Sequence, residues 1–393
     1  RYRSSAASDV YKRQIETVFA NAKIITENAI IQGTLMFADG VIRSIDSGRS
    51  VPSGAIDCEG DYVAPGLIEL HTDNLERHLT PRPKVNWPKR AAVLGHDREL
   101  AGAGITSVFD ALRVGSEADQ KRQGYLRYAR ETVDHILDQI NHRALKVSHH
   151  IHLRAELCTE TLVEELYEFS ENDRVRLVSL MDHTPGQRQF RDLSNHREYL
   201  VGKHGYNDAE VEAHWTKLRE LQTLYLEKNR AATVAYATEV GAILASHDDT
   251  TLEDVLESDR LGITVAEFPT TLEAAEACRA KAQFIVMGAP NIVRGGSHSG
   301  NVAAQELARG GLLDILSSDY VPAALLNAAV SLGNLLEDMA AGIRTVTACP
   351  ADAVGFDDRG RIAPEKRADL VRFAMHDGLP IIKSVWSRGQ RIA

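Results

Sequence analysis

The sequence predicts an α/β protein: a TIM-like (β/α)8 barrel inserted in a small β-sandwich that both chain ends build together. Three observations predict it. Short strand-like pieces with turn punctuation occupy both ends of the chain, which reads as one small sheet domain closed by the termini. Between them, eight apolar strand segments alternate with helical patterns over about 280 residues, the arithmetic of a (β/α)8 barrel. Chemically capable side chains stand at the C-terminal end of nearly every one of these strands, where barrels of this kind assemble their sites. A doubly wound open sheet alternates strands and helices too, and this third observation ranks it second.

In chain order, residues 1–14, "RYRSSAASDVYKRQ", lack the apolar core of a secretory leader and read as a cloning or assembly scar ahead of a start near Ile15. Residues 15–65 supply the first part of the sandwich. There "TVFANAKIIT", "AIIQGTLMFADG", "VIRSIDSG" and "AIDCEGDYVAPG" are short strands with turns at Gly33, Gly40, Gly48 and Gly60. The same rhythm returns in "GFDDRGRIAPEKRADLVRFAMHDGLPIIKSVWSRGQRIA", so 345–393 completes the sandwich and 66–344 forms the barrel. Barrel strands are expected in "GLIELHTD", "ITSVFDAL", "VSHHIHLRAEL", "RLVSLMDHTPG", "GAILASHDDT", "GITVAEFP", "QFIVMGAPN" and "LLDILSSDYVP". Helices are expected over 116–141, 208–229, 251–259, 272–281 and 301–309.

Composition narrows the function classes. Hydrophobic content of 44% with 25% charged residues is that of a globular protein, and a net charge of -10 argues against a nucleic-acid surface. The four cysteines, Cys58, Cys158, Cys278 and Cys349, are scattered without a CxxC pair, as in reduced cytoplasmic proteins. The longest uncharged run, Val321 to Leu336, falls short of the roughly 20 apolar residues of a membrane span and contains Asn327, Ser331 and Asn334. Neither nucleic acid nor membrane is an expected partner. The sequence leaves oligomeric state open, a homo-oligomer included.

The strand ends carry the chemistry. In an extended chain, residues two apart share a face, so His71 and Asp73 in "APGLIELHTDNLERHLTPRP" can converge on one cation. Asp110, Glu156 in "HLRAEL", His183 in "LMDHTPG", His247 in "LASHDDT" and Asp319 in "LSSDYVP" follow at later strand ends. Each alone has an ordinary reading, a hydrogen-bonded loop histidine or an N-capping aspartate. Together a barrel would bring them to one rim. Alternation along the third strand puts His150 and His152 on the barrel side with Glu156, and His149 towards the helices.

The "APGLIELHTD" entry to the barrel, single histidines counted after the fifth and sixth strands, an aspartate after the eighth and the closing "GRIAPEKRADLV" resemble the amidohydrolase superfamily over essentially the whole chain from Ile15. Most members carry HxH at the first strand, where this chain has His71 and Asp73. Many bridge two metals through a carboxylated lysine, where this chain offers Glu156. With that departure, "HTDNLERHLTPRPKVNWP", "DHTPGQRQF", "SHDDTT" and "EFPTT" resemble the diphosphatase family of phosphonate utilisation, which acts on a ribose triphosphate.

The resemblance implies a metal shell of His71, Asp73, Glu156, His183, His247 and Asp319, holding two Zn²⁺, with Mn²⁺ as the alternative. Asp319 would be both ligand and proton acceptor. The partner would be a small phosphorylated sugar, whose triphosphate needs cations. Candidates are Arg82, Lys84 and Arg113, and, in the glycine-rich "VRGGSHSGN", Arg294, His298 and Ser299. That stretch is no P-loop, because the GK[ST] ending is missing. Two rival readings are hydrolysis of a C–N bond, as in a cyclic amidase or deaminase, and a metal-binding or assembly protein without turnover. The basic loops favour a polyanion over a neutral ring.

Overall fold

The computed structural model describes residues 16–116, 127–188, 191, 193–297 and 300–393. Residues 1–15, His298, Ser299 and 117–126 of the helix expected over 116–141, which carry expectations above, lie outside the described residues; the described part of that helix is Ala129–Asn141.

Eight parallel strands follow one another in sequence order around a single sheet: Leu67–Thr72, Ile105–Val114, Ser148–Glu156, Val175–Met181, Ile243–His247, Val265–Glu267, Phe284–Gly288 and Ile315–Ser317. Each falls in the segment expected for it. A bridge between Thr72 and Asp319 brings the eighth strand back to the first, so the barrel is nearly closed. These strands are buried along almost their full length, as parallel strands covered by helices must be. Ile68, Leu70, Phe109, Leu177, Val265, Val286 and Ile315 fill the interior, and the helix Ala348–Ala353 with Phe356 packs into the same cluster.

Several helices start where a side chain receives free backbone N–H groups. Thr251 caps Leu252–Arg260 with Asp254 in a reciprocal capping box, and Thr271 caps Leu272–Ala280. Asn207 and Glu210 form the same box at the start of Asp208–Val240, a 33-residue helix that outruns the expected 208–229 and stops at Gly241, where φ is +66°. The uncharged run near residue 330 becomes Ala324–Leu335, largely buried in the main core. Among the described residues no helix is long and apolar enough to cross a membrane.

Both chain ends share one mostly antiparallel sheet. Tyr62–Pro65 pairs with Leu370–His376, joining the N-terminal strands to the C-terminal ones, and the path continues without a break from Val41–Ser47 to Gln390–Arg391. The sheet curls on itself. Trp386, from a strand well removed in that path, meets Phe19 and Phe37 of two neighbouring N-terminal strands edge to face, with the three ring centroids 5.3 to 5.5 Å apart. Gly66 lets the chain leave this sheet for the barrel, since a Cβ there would stand 2.2 Å from Thr106 Oγ1.

Candidate metal centre

The first and eighth strands are laced together below the rim. The buried Glu69 carboxylate accepts from the His71 N–H at 2.7 Å, from the Ser318 N–H at 2.6 Å and from Ser317 Oγ at 2.8 Å. Burial still pushes its carboxyl up to about 7. Thr72 Oγ1 donates to the Asp319 carbonyl at 2.7 Å. His71 and Asp319 are thereby held in register. A shift in pairing between Glu69 and Thr72 breaks strict alternation just where His71 turns to the cavity.

His71 is oriented from behind. Its Nδ1 lies 2.9 Å from Glu267 Oε1, and burial, reinforced by Arg154, holds its pKa well below the ordinary imidazole range. A neutral ring that donates from Nδ1 to a carboxylate keeps its lone pair on Nε2, the tautomer a metal ligand needs. Glu267 in turn accepts from Ser179 Oγ at 2.6 Å. His152 donates from Nδ1 to the Leu70 carbonyl at 2.9 Å and meets Ser179 through Nε2; burial lowers its pKa to about 3. His71, His152 and Glu267 do bring ligand atoms within 4.8 Å of one another. Both His152 nitrogens are engaged, however, so this group is a hydrogen-bonded support for His71 and not an ion cage.

On the other side of the cavity, His183 Nδ1 stands 2.8 and 3.1 Å from the two Glu156 oxygens. Burial alone would raise Glu156, yet His183, Arg113 and Arg154 outweigh it and bring the carboxyl to about 2. His183 is raised in return by Glu156, against its own burial. Rings of His183 and His247 lie 5.9 Å apart and those of His71 and His247 5.6 Å. Ligand atoms of His183, His247 and Asp248 fall within 4.8 Å of each other.

Backbone conformation shapes this rim. Asp248, Phe268 and Asp319, which follow the fifth, sixth and eighth strands, all adopt left-handed φ values of +58°, +58° and +55°. For non-glycine residues that is costly and clusters at functional sites. All three side chains line one cavity of about 180 Å³ together with His71, His247, Arg154 and Arg294. Asp73 precedes the helix Asn74–Leu79 without capping it and lies 3.5 Å from Arg154. Burial, and then the charge of Asp73, raise Asp319 to about 7.

Of the six residues expected as metal ligands, His71, His247 and Asp319 thus line one cavity, with Glu156, His183 and Asp73 linked to it through the contacts above. His183 and His247 close the fourth and fifth barrel strands, one position earlier than the resemblance counted. Asp110 points the other way: it bonds His149 and His96 outside the barrel. His150 is stacked on Phe109 and packs at a tilt against Phe356 at the barrel floor. Among the expected phosphate cations, Arg294 is exposed on the lip of the cavity. Arg113 is half-buried near Glu156, while Arg82 and Lys84 are exposed and outside the lining. Sequence reasoning missed Arg154, Glu267, Glu69 and Asp248. Charged residues inside the apolar strands "GLIEL" and "HLRAEL" were the available signal, since such groups are buried only with a purpose.

Solved structures of the same architecture include hydrolases and deaminases. An N-isopropylammelide isopropylaminohydrolase from Burkholderia multivorans superposes with a TM-score of 0.61, covering 96% of this chain and 97% of its own at 16% identity. A 5-methylcytosine deaminase from Klebsiella pneumoniae reaches 0.62 at 15% identity, covering 96% and 98%. The fold is therefore that of the amidohydrolases, a barrel with its rim histidines set on a sheet made by the chain ends. No protein-family model matches the chain. An α-D-ribose 1-methylphosphonate 5-triphosphate diphosphatase from Escherichia coli K12 is 42% identical over 378 residues, 95% of this chain and 100% of that protein, and the chain belongs to this diphosphatase family. An imidazolonepropionase from Caulobacter is 31% identical over 26% of the chain.

Proposed function

We propose that this chain hydrolyses α-D-ribose 1-methylphosphonate 5-triphosphate to the 5-phosphate and pyrophosphate in phosphonate catabolism, using divalent metal ions. The observation that carries the reading is the 42% identity that spans the full length of a diphosphatase of that substrate. The donor set suits the metal. Three imidazoles and three carboxylates without thiolate fit Zn²⁺ or Mn²⁺, two ions being the number that six ligands with a bridging Glu156 would hold. The 2.8 Å between His183 Nδ1 and Glu156 is a spacing that two donors on one ion share, given bonds of about 2.0–2.2 Å. When bound, the ions would acidify water and offset phosphoryl charge.

The chain's own residues would do the rest. His71, Asp73, Glu156, His183, His247 and Asp319 hold the ions. Asp319 takes the proton of the attacking water, and Arg294 on the lip faces the departing pyrophosphate, with Arg82, Lys84, Arg113, His298 and Ser299 as further candidate contacts. A cytoplasmic location belongs to the same reading, supported by four free cysteines of which three are buried. Pyrophosphate release from the ribose triphosphate, compared with ring opening of a cyclic amide such as dihydroorotate, tests the reading. Turnover of the amide and not of the triphosphate would replace it with C–N chemistry.

A further inference from the structure

Arg154 is short of hydrogen bonds, although the carboxylates of Asp73, Glu76 and Glu156 surround it and favour its charge against burial. It projects from the third barrel strand on the same face as Glu156 and its side chain is only 17% exposed. Its guanidinium makes one ion pair, 3.5 Å from Asp73 Oδ2, and its buried Nε has no hydrogen-bond partner among the described residues. The contrast with Arg188 is direct. That side chain, 13% exposed, bonds both the Asp249 carboxylate and the His247 carbonyl. A guanidinium carries five N–H donors in a rigid fork, and removing it from water without partners is costly. Here the unfilled donors sit in the wall of the cavity that also holds His71, His247 and Asp319. A largely buried cation with free donors beside a reaction site is preorganised for an anion that arrives there.

We infer that Arg154 is the residue that reads the reacting phosphoryl group, donating two N–H bonds to non-bridging oxygens of the α-phosphate, and that it separates phosphoanhydride hydrolysis from C–N hydrolysis on this scaffold. The inference rests on the function proposed above. In the step itself, a water oxygen forms a bond to the α-phosphorus and the bond from that phosphorus to the bridging oxygen breaks. The electron pair leaves on pyrophosphate, and the water proton passes to Asp319. The α-phosphoryl oxygens that the fork faces carry negative charge throughout the step, while the new charge develops on the departing pyrophosphate. A neutral ring amide offers no matching pair of anionic oxygens and would leave the guanidinium buried without partners.

Arg154→Ala and Arg154→Lys test this in the metal-loaded enzyme, with kcat and KM on the triphosphate, metal content by elemental analysis, and calorimetric binding of inorganic phosphate. Loss of preorganised donors predicts a fall of about 10²–10³-fold in kcat for the alanine variant. Metal content should be unchanged, phosphate binding weaker, and activity partly restored by millimolar guanidinium. Lysine, a point charge without the fork, should recover only part of the loss. Wild-type kinetics in the alanine variant would overturn the inference. So would a loss that follows metal content and is repaired by added metal, which would make Arg154 a support for Asp73. If the wild-type enzyme leaves the triphosphate intact, the proposed function fails separately, and phosphate binding that survives in both variants would then overturn the role of Arg154.

Discussion

Replacing Glu267 by Gln keeps the shape of the side chain behind His71 and removes its charge. The two groups lie 2.9 Å apart, with side chains 2% and 0% exposed, so solvent screens little of their interaction. A hydrogen bond to a charged partner contributes about 1.5–3 kcal/mol where a neutral one contributes about 0.5–1.5, which leaves a loss of about 1–2 kcal/mol in holding His71. At about 1.4 kcal/mol per tenfold, zinc affinity should weaken roughly five- to thirtyfold. That overlaps the about 10–100-fold usual for partners of metal-binding histidines. The assay is residual metal after dialysis against chelator-buffered Zn²⁺, with circular dichroism and the urea midpoint to confirm an intact fold. Ser179→Ala should move affinity the same way by less, because Ser179 reaches His71 indirectly, through Glu267 and His152. A folded Glu267→Gln protein with zinc affinity within twofold of wild type would refute the role of Glu267.

His149 sits between Asp110 and Asp97; burial alone would lower its pKa, but the two carboxylates raise it to about 9. A raised pKa stabilises the fold fully below the unfolded value of about 6.5 and loses that contribution as pH climbs through 9, up to about 3 kcal/mol. Urea midpoints of wild type should therefore fall between pH 7 and 9.5 while those of His149→Gln stay nearly level, and parallel curves would contradict this. Gly115 has φ +96° and a Cβ there would lie 2.5 Å from Thr159 Oγ1 and 2.9 Å from the Glu156 carbonyl. Gly115→Ala should cost about 1–3 kcal/mol in denaturant unfolding and lower bound metal by displacing Glu156, and wild-type values of both would show that the turn absorbs the change. If Glu156 bridges two ions, Glu156→Ala should retain less metal by elemental analysis than Asp319→Ala, whereas equal occupancy would move the bridge elsewhere.

The barrel was legible because parallel strands covered on both faces are written as short apolar runs, and all eight runs became strands. Residues at strand ends were legible for the same reason: once the strand is placed, the rim position of His71, His183, His247 and Asp319 follows. Supporting residues were harder to read. Glu267 matters through a contact with His71 that is 196 positions away in sequence, and Glu69 through Ser317 and Ser318, 248 and 249 positions later, at the end of the strand that closes the barrel. Asp248 faces the cavity beside His247 with its backbone left-handed, a conformation that alternation does not anticipate. Asp110, expected at a strand end, lies in the middle of the strand Ile105–Val114 and turns outward to bond His96 on the helix Lys89–Gly102, because that strand runs further than its apolar pattern implied. Loop cations remain the least legible class. Arg82 and Lys84 follow the first strand in sequence yet stand outside the lining, because the helix Asn74–Leu79 intervenes.

Hydrolysis of the ribose triphosphate in ¹⁸O-labelled water, with mass spectrometry of both products, tests most directly where the substrate's phosphates lie against the rim. Water directed to the α-phosphorus under Arg154 and Asp319 leaves the label in the ribose 5-phosphate moiety and none in the released pyrophosphate. Label in pyrophosphate would mean attack at the β-phosphorus, and release of single phosphate would mean attack at the γ-phosphorus; either result contradicts the placement.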